Sequence, residues 1–270
     1  WSPDSTRLVY QETDVSGVEQ HYIANPLAPS EPPELYYYPR AGTPNARVRL
    51  GIISITGGPT TWIDWDREKY PYLARVVWEK SAPLTILVQT RDQREEKLLT
   101  VDATTGASTE LLTETDPAWV NLDPDDRMPR WLPDGQRFLW TTERRGGWQL
   151  ELRGRDGRLI RELTPVGCEC TTVFDVDEGQ GVAMTGGGPD PRESHLYRVS
   201  LDGGTPVRVS DGAGYHAATF ARDHAAYVHR FELNDGRQGT QVRSRGGQLL
   251  AEIPSIAEKP PVTPSVVPVT

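Results

Sequence analysis

Serine and histidine are the side chains of this sequence that could support nucleophilic catalysis. Hydrolases of the α/β type present their serine on a sharp G-x-S-x-G turn, and that pattern is absent from the 270 residues. Without a presented nucleophile, the five histidines cannot be combined into a Ser-His-Asp triad. We therefore predict that the chain contains no catalytic residue.

The histidine and cysteine positions do not indicate a metal site either. No H-E-x-x-H pattern occurs, and we expect His195, His224 and His229 to lie in or beside strands, where they pack or meet solvent. Cys168 and Cys170 are one residue apart, a spacing at which a disulfide would be strained. The sequence predicts two free thiols, no metal and no cofactor.

The charge balance argues against a nucleic-acid partner, and the length of the apolar runs argues against a membrane segment. With 29 basic and 38 acidic side chains the net charge is −9, and the basic residues form no cluster, which argues against nucleic acid as a partner. No apolar run approaches the roughly 18 residues that a membrane span requires. We predict neither a nucleic-acid partner nor a membrane segment within this chain.

The elements that must position these side chains are β-strands. Short segments rich in Val, Ile, Leu, Thr, Trp and Tyr are bounded by 25 glycines and 23 prolines spread along the chain, a pattern typical of strands separated by turns. The clearest segments cover 7–10, 47–55, 84–90, 137–142, 195–201 and 225–231. No long amphipathic helix stands out, so the sequence predicts an all-β fold.

Two turn motifs recur at a long period. The first is a glycine between two strand-like segments, and its copies lie roughly 43–51 residues apart. These glycines are Gly57, Gly106, Gly157, Gly203 and Gly246. The second motif, WSPD at 1–4 and WLPDG at 131–135, alternates with the first and has weaker copies near Gly179 and His224. Two hairpin turns per period give about four strands per repeat, which is typical of a β-propeller blade.

The sequence thus predicts a β-propeller of about five four-stranded blades, with a β-sandwich as the structural alternative. The blades cover about 1–64, 65–115, 116–165, 166–211 and 212–257, followed by a Pro-rich linker over 258–270. An insertion over about 20–44 lengthens the first repeat. Because Trp1 opens in the middle of a repeat, we expect either a piece of a larger chain or a ring that the tail closes by pairing with the first blade.

Several segments between the repeated turns resemble one family. They are YYYPRAGTPNARVRLGIISI at 36–55, LLTETDPAWVNL at 111–122, FLWTTERRGGWQLEL at 138–152, HLYRVSLDGG at 195–204 and the opening WSPD. In order and spacing the chain resembles, from Trp1 to about Ile253, the N-terminal β-propeller of the dipeptidyl peptidase IV group of prolyl oligopeptidase-type serine peptidases. The resemblance implies the later blades of an eight-bladed propeller that caps an α/β-hydrolase domain.

In that family the propeller does no bond chemistry. The resemblance implies that it narrows access to the active site, while paired glutamates on an earlier blade hold the amino terminus of the substrate through charge-assisted hydrogen bonds. That motif would fall before Trp1. Glu95-Glu96 lies elsewhere and is flanked by Arg94 and Lys97, so we interpret it as a solvated charge run without that role.

The resemblance also marks a stretch that approaches the active-site cavity in the family. Trp119, Asn121 and Asp123 are our substrate-channel candidates on that basis. Family members often carry an aromatic residue, a histidine or an arginine hereabouts, whereas this chain has Leu-Asp-Pro at 122–124. The alternative for the acidic loop that contains Asp123, Asp125 and Asp126 is a solvated turn.

Three consecutive tyrosines, Tyr36, Tyr37 and Tyr38, are candidates for an interface. In a strand they would appear on both faces, so at least one faces outward, and tyrosine is enriched at protein interfaces. In the family the extended arm of this blade contributes to a homodimer, which implies a dimer arm over about 20–40. The alternative is packing of the tyrosines on the neighbouring blade.

Together these features predict a non-catalytic propeller domain that gates substrate access and supports dimerisation in a dipeptidyl peptidase IV-like serine exopeptidase. The parent enzyme would release N-terminal X-Pro or X-Ala dipeptides. The implied partners are peptide substrates of the parent enzyme, its own α/β-hydrolase domain and a second copy of the chain. The resemblance favours a periplasmic or secreted location, with a cytoplasmic location as the alternative. The alternative function is a self-standing propeller that binds proteins as a scaffold.

Overall fold

Strands form all the regular secondary structure of this protein that the computed structural model describes. The described residues are 1–123, 127–170, 172–258 and 262, and they hold strands β1 to β21 without a helix. The chain divides into two compact units, Trp1–Val120 and Asn121–Thr270. In the described part, no helix has the length and apolar character needed to cross a bilayer. The all-β prediction is confirmed.

The first unit contains two sheets and a separate hairpin. Its strands are β1 (Arg7–Asp14), β2 (Gln20–Ile23), β3 (Glu34–Tyr37), β4 (Arg47–Ser54), β5 (Thr61–Trp62), β6 (Tyr72–Val77), β7 (Leu84–Gln89), β8 (Glu95–Val101) and β9 (Ser108–Thr115). The first sheet has the order β1-β4-β5, and the second sheet has the order β6-β7-β8-β9. The predicted insertion is the hairpin β2-β3, which lies between β1 and β4 along the chain.

An apolar core joins the two sheets of the first unit. Leu50 and Ile52 of β4 pack in one cluster with Leu84 and Ile86 of β7, and Ile86 has no exposed surface. All six residues of β7 are buried, which explains its consecutive apolar residues ILV at 86–88, since a strand covered on both faces has no solvent-facing side. Burial of each such side chain contributes about 1.5–3 kcal/mol to folding.

The second unit contains three four-stranded sheets. Its strands are β10 (Arg130–Trp131), β11 (Arg137–Thr142), β12 (Gln149–Gly154), β13 (Leu159–Glu162), β14 (Thr172–Asp177), β15 (Val182–Gly187), β16 (His195–Ser200), β17 (Val207–Arg208), β18 (Gly214–Phe220), β19 (Ala226–Leu233), β20 (Gln238–Ser244) and β21 (Leu249–Ile253). In chain order they form the third, fourth and fifth sheets, each an antiparallel meander. This repeated four-stranded meander is the blade topology that the sequence predicts.

The two recurrent turns lie at equivalent places in the sheets. Residues with positive φ precede the second strand of the second to fifth sheets, and they are Ser81, Gly135, Gly181 and His224. Ser5, which also has a positive φ, precedes β1 of the first sheet. In the fourth sheet Gly181 takes this position rather than Gly179. The glycine turns between third and fourth strands carry φ values of 79° to 87° in the second to fifth sheets. Gly106 is obligatory there, because a Cβ atom would lie 2.1 Å from the carbonyl oxygen of Trp62. We propose the blade boundaries given above around these sheets.

The prediction for the cysteines is wrong. Cys168 and Cys170 are joined in a disulfide, and both are buried. Residues 168–170 form no strand, and Glu169 between the cysteines has a φ of 48°. The two Cα atoms are 5.3 Å apart, within the range that a disulfide spans.

Two sequence predictions concern residues outside the part of the chain that the structure describes. Asp125 and Asp126 of the acidic loop lie outside the described residues, and so does the predicted linker over 258–270 except for residues 258 and 262. The structure therefore bears on the acidic loop only through Asp123.

Candidate functional site

Trp119 is an exposed aromatic on a fixed piece of backbone at the end of the first unit. Its side chain is 55% exposed. Asp116 accepts the backbone N–H groups of Ala118 at 2.7 Å and of Trp119 at 2.8 Å, and these hydrogen bonds lower the pKa of the Asp116 carboxyl. Val120 is held in turn, because its N–H donates to the Gln93 carbonyl at 2.8 Å. The indole is thus presented to solvent from a rigid turn.

Asn121 and Asp123 open the second unit and are tied to the end of β11. The Asn121 side-chain amide donates to Glu143 at 2.6 Å. Asp123 accepts the backbone N–H of Arg127 at 2.7 Å and the hydroxyl of Thr141 at 3.1 Å. These bonds hold the segment against the β11–β12 loop, so both candidates lie at one end of the third sheet.

The β11–β12 loop adds charged side chains at this same end of the third sheet. Arg144 lies 4.0 Å from Glu151, and Arg145 forms an ion pair with Glu162. Carboxylates, an amide and guanidinium groups can hydrogen-bond the ends and the backbone of a peptide. No group of three or more candidate metal ligands occurs in the described ranges. The arrangement can therefore hydrogen-bond and position a peptide.

The interpretation of Glu95-Glu96 as a solvated charge run is wrong for Glu96. Glu95 is paired as expected of a surface residue, with Lys69 at 3.0 Å and with the Tyr70 hydroxyl. Glu96 is only 3% exposed and lies directly across the strand pair from Glu114, which is also buried. Burial, with the nearby Glu114 charge adding to it, raises the pKa of Glu96 to about 8.

The three histidines considered in the sequence lie in or beside strands, as predicted. His195 is on β16 and His229 is on β19, and both are buried, whereas His224 is in the turn before β19 and contacts Asp175 at 2.7 Å. Sequence reasoning missed that His195 and His229 converge with His216. No signal in the spacing reveals it, because the residues come from two different sheets.

The hairpin β2-β3 presents the three tyrosines to solvent. Tyr36 and Tyr37 are each 45% exposed and Tyr38 is 63% exposed. Within the described chain, β2 and β3 pair with no strand except each other. An isolated two-stranded hairpin is marginally stable in water, so this one exposes both aromatic side chains and unpaired strand edges.

Comparison with known proteins identifies the family of this chain. Residues 1–235 match the family described as the dipeptidyl peptidase IV (DPP IV) N-terminal region. The chain belongs to this family. The resemblance inferred from the sequence is therefore confirmed.

Individual relatives of this DPP IV N-terminal region are distant but cover most of it. The inactive dipeptidyl peptidase 10 of Rattus norvegicus is 25% identical over 75% of the chain, and the probable dipeptidyl-aminopeptidase B of Emericella nidulans is 25% identical over 84%. The solved structure of dipeptidyl peptidase 4 from Porphyromonas gingivalis superposes on 94% of the chain with a TM-score of 0.83 at 20% identity, and the chain covers 36% of that structure. This superposition supports the propeller-type fold. The chain spans 27% and 28% of the lengths of the two sequence relatives.

Proposed function

We propose that this DPP IV N-terminal region gates substrate access and supports dimerisation in a serine exopeptidase that releases N-terminal X-Pro or X-Ala dipeptides. The observation that carries the proposal is the family match over residues 1–235 in a sequence without a G-x-S-x-G turn. On this proposal the chain contributes the walls of the substrate entrance and the contacts between the two subunits. The α/β-hydrolase domain of the parent enzyme cleaves the peptide bond.

Trp119, Asn121 and Asp123 are the proposed gating residues. The Trp119 indole is exposed, and its backbone is held by a hydrogen bond to Asp116. In this position the side chain can narrow the substrate entrance. Asn121 and Asp123 are held by hydrogen bonds to Glu143 and Thr141, and we assign them the role of positioning the peptide at the entrance.

We expect the isolated chain not to hydrolyse Gly-Pro-p-nitroanilide, while the parent enzyme hydrolyses it.

In the parent enzyme, Trp119→Ala is expected to raise kcat/KM for peptides of six or more residues relative to the chromogenic dipeptide by about threefold or more, which corresponds to about 0.7 kcal/mol. The reason is that a wider entrance favours the longer substrate.

Tyr215→Ala is the control for the Trp119 experiment. Tyr215 is a comparably exposed aromatic on β18. Its replacement is expected to leave unchanged the ratio of kcat/KM for long peptides to kcat/KM for the chromogenic dipeptide. An unchanged ratio in Trp119→Ala contradicts gating by this residue. Turnover by the isolated chain that a serine-directed inhibitor abolishes contradicts the non-catalytic assignment.

The hairpin β2-β3 is the proposed dimer arm. We expect the double variant Tyr36→Ser with Tyr38→Ser to shift the parent enzyme from dimer to monomer in sedimentation velocity, because the variant removes the exposed aromatic surface of the arm. Stable interfaces bury at least about 1,000 Å², and the exposed tyrosines are large side chains of the arm that such an interface would cover. A variant that remains fully dimeric, or a wild-type enzyme that is monomeric, overturns the assignment, and Tyr215→Ser serves as the matched control.

A further inference from the structure

Three buried histidines from two neighbouring sheets form one stack in the second unit. His195 of β16 is 3% exposed, His216 of β18 is 1% exposed and His229 of β19 is 4% exposed. The ring centroids are 5.2 Å apart from His195 to His216 and again 5.2 Å apart from His216 to His229. The fourth and fifth sheets therefore meet through imidazole rings.

Hydrogen bonds fix the protonation of two of these rings. His216 Nε2 lies 3.2 Å from the Gly212 carbonyl oxygen, which can only accept, so Nε2 carries a proton. In the neutral ring Nδ1 then accepts from His229 Nε2, 3.0 Å away. The remaining lone pair, on His229 Nδ1, is buried and has no hydrogen-bond partner among the described residues.

The third ring, His195, is held by two polar contacts. Its Nε2 lies 2.7 Å from the Glu193 carboxylate, and its Nδ1 lies 3.2 Å from the Ser210 hydroxyl. Ser210 is itself fixed, because its oxygen accepts the backbone N–H of Leu196 at 3.1 Å. The contact between His216 Nδ1 and His229 Nε2 requires that at least one of these two nitrogens carries no proton.

The charged groups around the stack are of both signs. They are Glu193 and Asp211 on the acidic side and Arg208 and Arg243 on the basic side, with the phenol of Tyr227 packed nearby. Burial lowers the pKa of His216, and burial together with the His216 and Arg243 charges lowers the pKa of His229 to about 4. Asp211 opposes both shifts without reversing them.

The backbone next to the stack is where the two sheets are hydrogen-bonded. Ser194 donates its N–H to Gly214 at 3.0 Å, and its carbonyl accepts the N–H of His216 at 2.8 Å. At the other end of β18, His224 lies 2.7 Å from Asp175, a contact that becomes an ion pair when the imidazole is protonated. The junction between the two sheets therefore has the histidine stack at one end of β18 and the His224–Asp175 contact at the other.

We propose that the three-histidine stack is a proton-operated latch between the fourth and fifth sheets, which holds while the rings are neutral and opens when His216 and His229 both take up a proton. One added proton still leaves a lone pair between these two rings. A second proton places N–H against N–H and two like charges in a buried site, which is strongly unfavourable. The latch is independent of the proposed function.

The latch is tested by hydrogen–deuterium exchange of the Ser194 and His216 amides in the full chain, corrected for intrinsic exchange. Between pH 6.5 and pH 4.5 we expect their protection factors to fall by at least about 100-fold. The slope of the logarithm of the protection factor against pH is expected to approach about two, which corresponds to two protons taken up on opening. Amides of β11 in the third sheet are the internal reference and are expected to change less. Protection that does not depend on pH overturns the latch.

Two variants remove the titrating rings. His229→Gln and His216→Gln are each expected to reduce the slope by about one proton, whereas His21→Gln in the hairpin β2-β3 of the first unit leaves it unchanged. An unchanged slope in both stack variants overturns the proposal. If neither variant folds, ¹⁵N imidazole spectra of the wild type decide: neutral Nε2–H tautomers of His216 and His229 at pH 6 support the latch, and an imidazolium signal from either ring rules it out.

Discussion

Replacing Arg153 by leucine is expected to lower the free energy of unfolding by about 3–5 kcal/mol, because it breaks a buried ion pair from one side. Arg153 is 6% exposed and Glu151 is 4% exposed. The guanidinium donates to the Glu151 carboxylate at 2.8 Å and to the Gly157 carbonyl at 2.7 Å. Leucine leaves a buried carboxylate whose remaining basic neighbour, Arg144, is 4.0 Å away.

The fifth sheet supplies the control for this prediction. There Arg243 donates to the side-chain oxygen of Gln241 at 3.0 Å and 2.8 Å and to the Gly247 carbonyl at 2.8 Å, so an amide fills the place of the carboxylate. Glu151→Gln is therefore expected to cost less than Arg153→Leu, because the amide oxygen still accepts a hydrogen bond from the guanidinium. Urea unfolding followed by tryptophan fluorescence measures both variants, and equal losses for Arg153→Leu and Glu151→Gln would contradict the assigned role of the buried charge.

Replacing Glu96 by glutamine is expected to stabilise the protein by about 2–4 kcal/mol at pH 8 and to change little at pH 5. The ordinary pKa of this carboxyl is 4.5, and burial beside Glu114 raises it to about 8 in the folded chain. Between these values the folded state binds a proton that the unfolded state has lost, so stability falls as the pH rises. Glutamine removes that titration while it keeps the size of the side chain.

Unfolding curves at pH 5, 6.5 and 8 test the Glu96 prediction. Glu95→Gln is the matched control one residue away: the pKa of Glu95 is lowered by its hydrogen bond with Tyr70 and by Lys69, so its loss is expected to destabilise slightly, by about 0.5 kcal/mol, at all three values. A Glu96→Gln variant whose stability differs from that of the wild type by the same amount at pH 5 and at pH 8 would show that Glu96 is charged in the fold.

The blade pattern was predictable because it depends on local chemistry. Turns such as the one at Gly135 require positive φ, and alternating turn and strand segments repeat at a nearly constant period. The family could be predicted for the same reason, since its characteristic segments are contiguous in the sequence. The matched residues 1–235 include all of those segments.

The errors come from residues whose environment depends on distant segments. Glu96 lies two residues before Leu98, which has no exposed surface. Because residues i and i+2 of a strand share one face, this spacing indicates a buried position for Glu96. The charged neighbours Arg94, Glu95 and Lys97 favoured an exposed position instead. Glu114 is its cross-strand partner, and nothing near Glu96 in the sequence identifies that pairing. The disulfide was missed because the conformation of Glu169 decides whether the two cysteines meet.

The strand pairing has a consequence for how the chain is made. In the second to fifth sheets every strand pairs with the one synthesised just before or after it, so each sheet has low contact order and can close as it leaves the ribosome. The first sheet differs, because β1 must wait for β4 while the hairpin β2-β3 is translated between them. That delay makes β1 the strand most exposed to mispairing in the nascent chain.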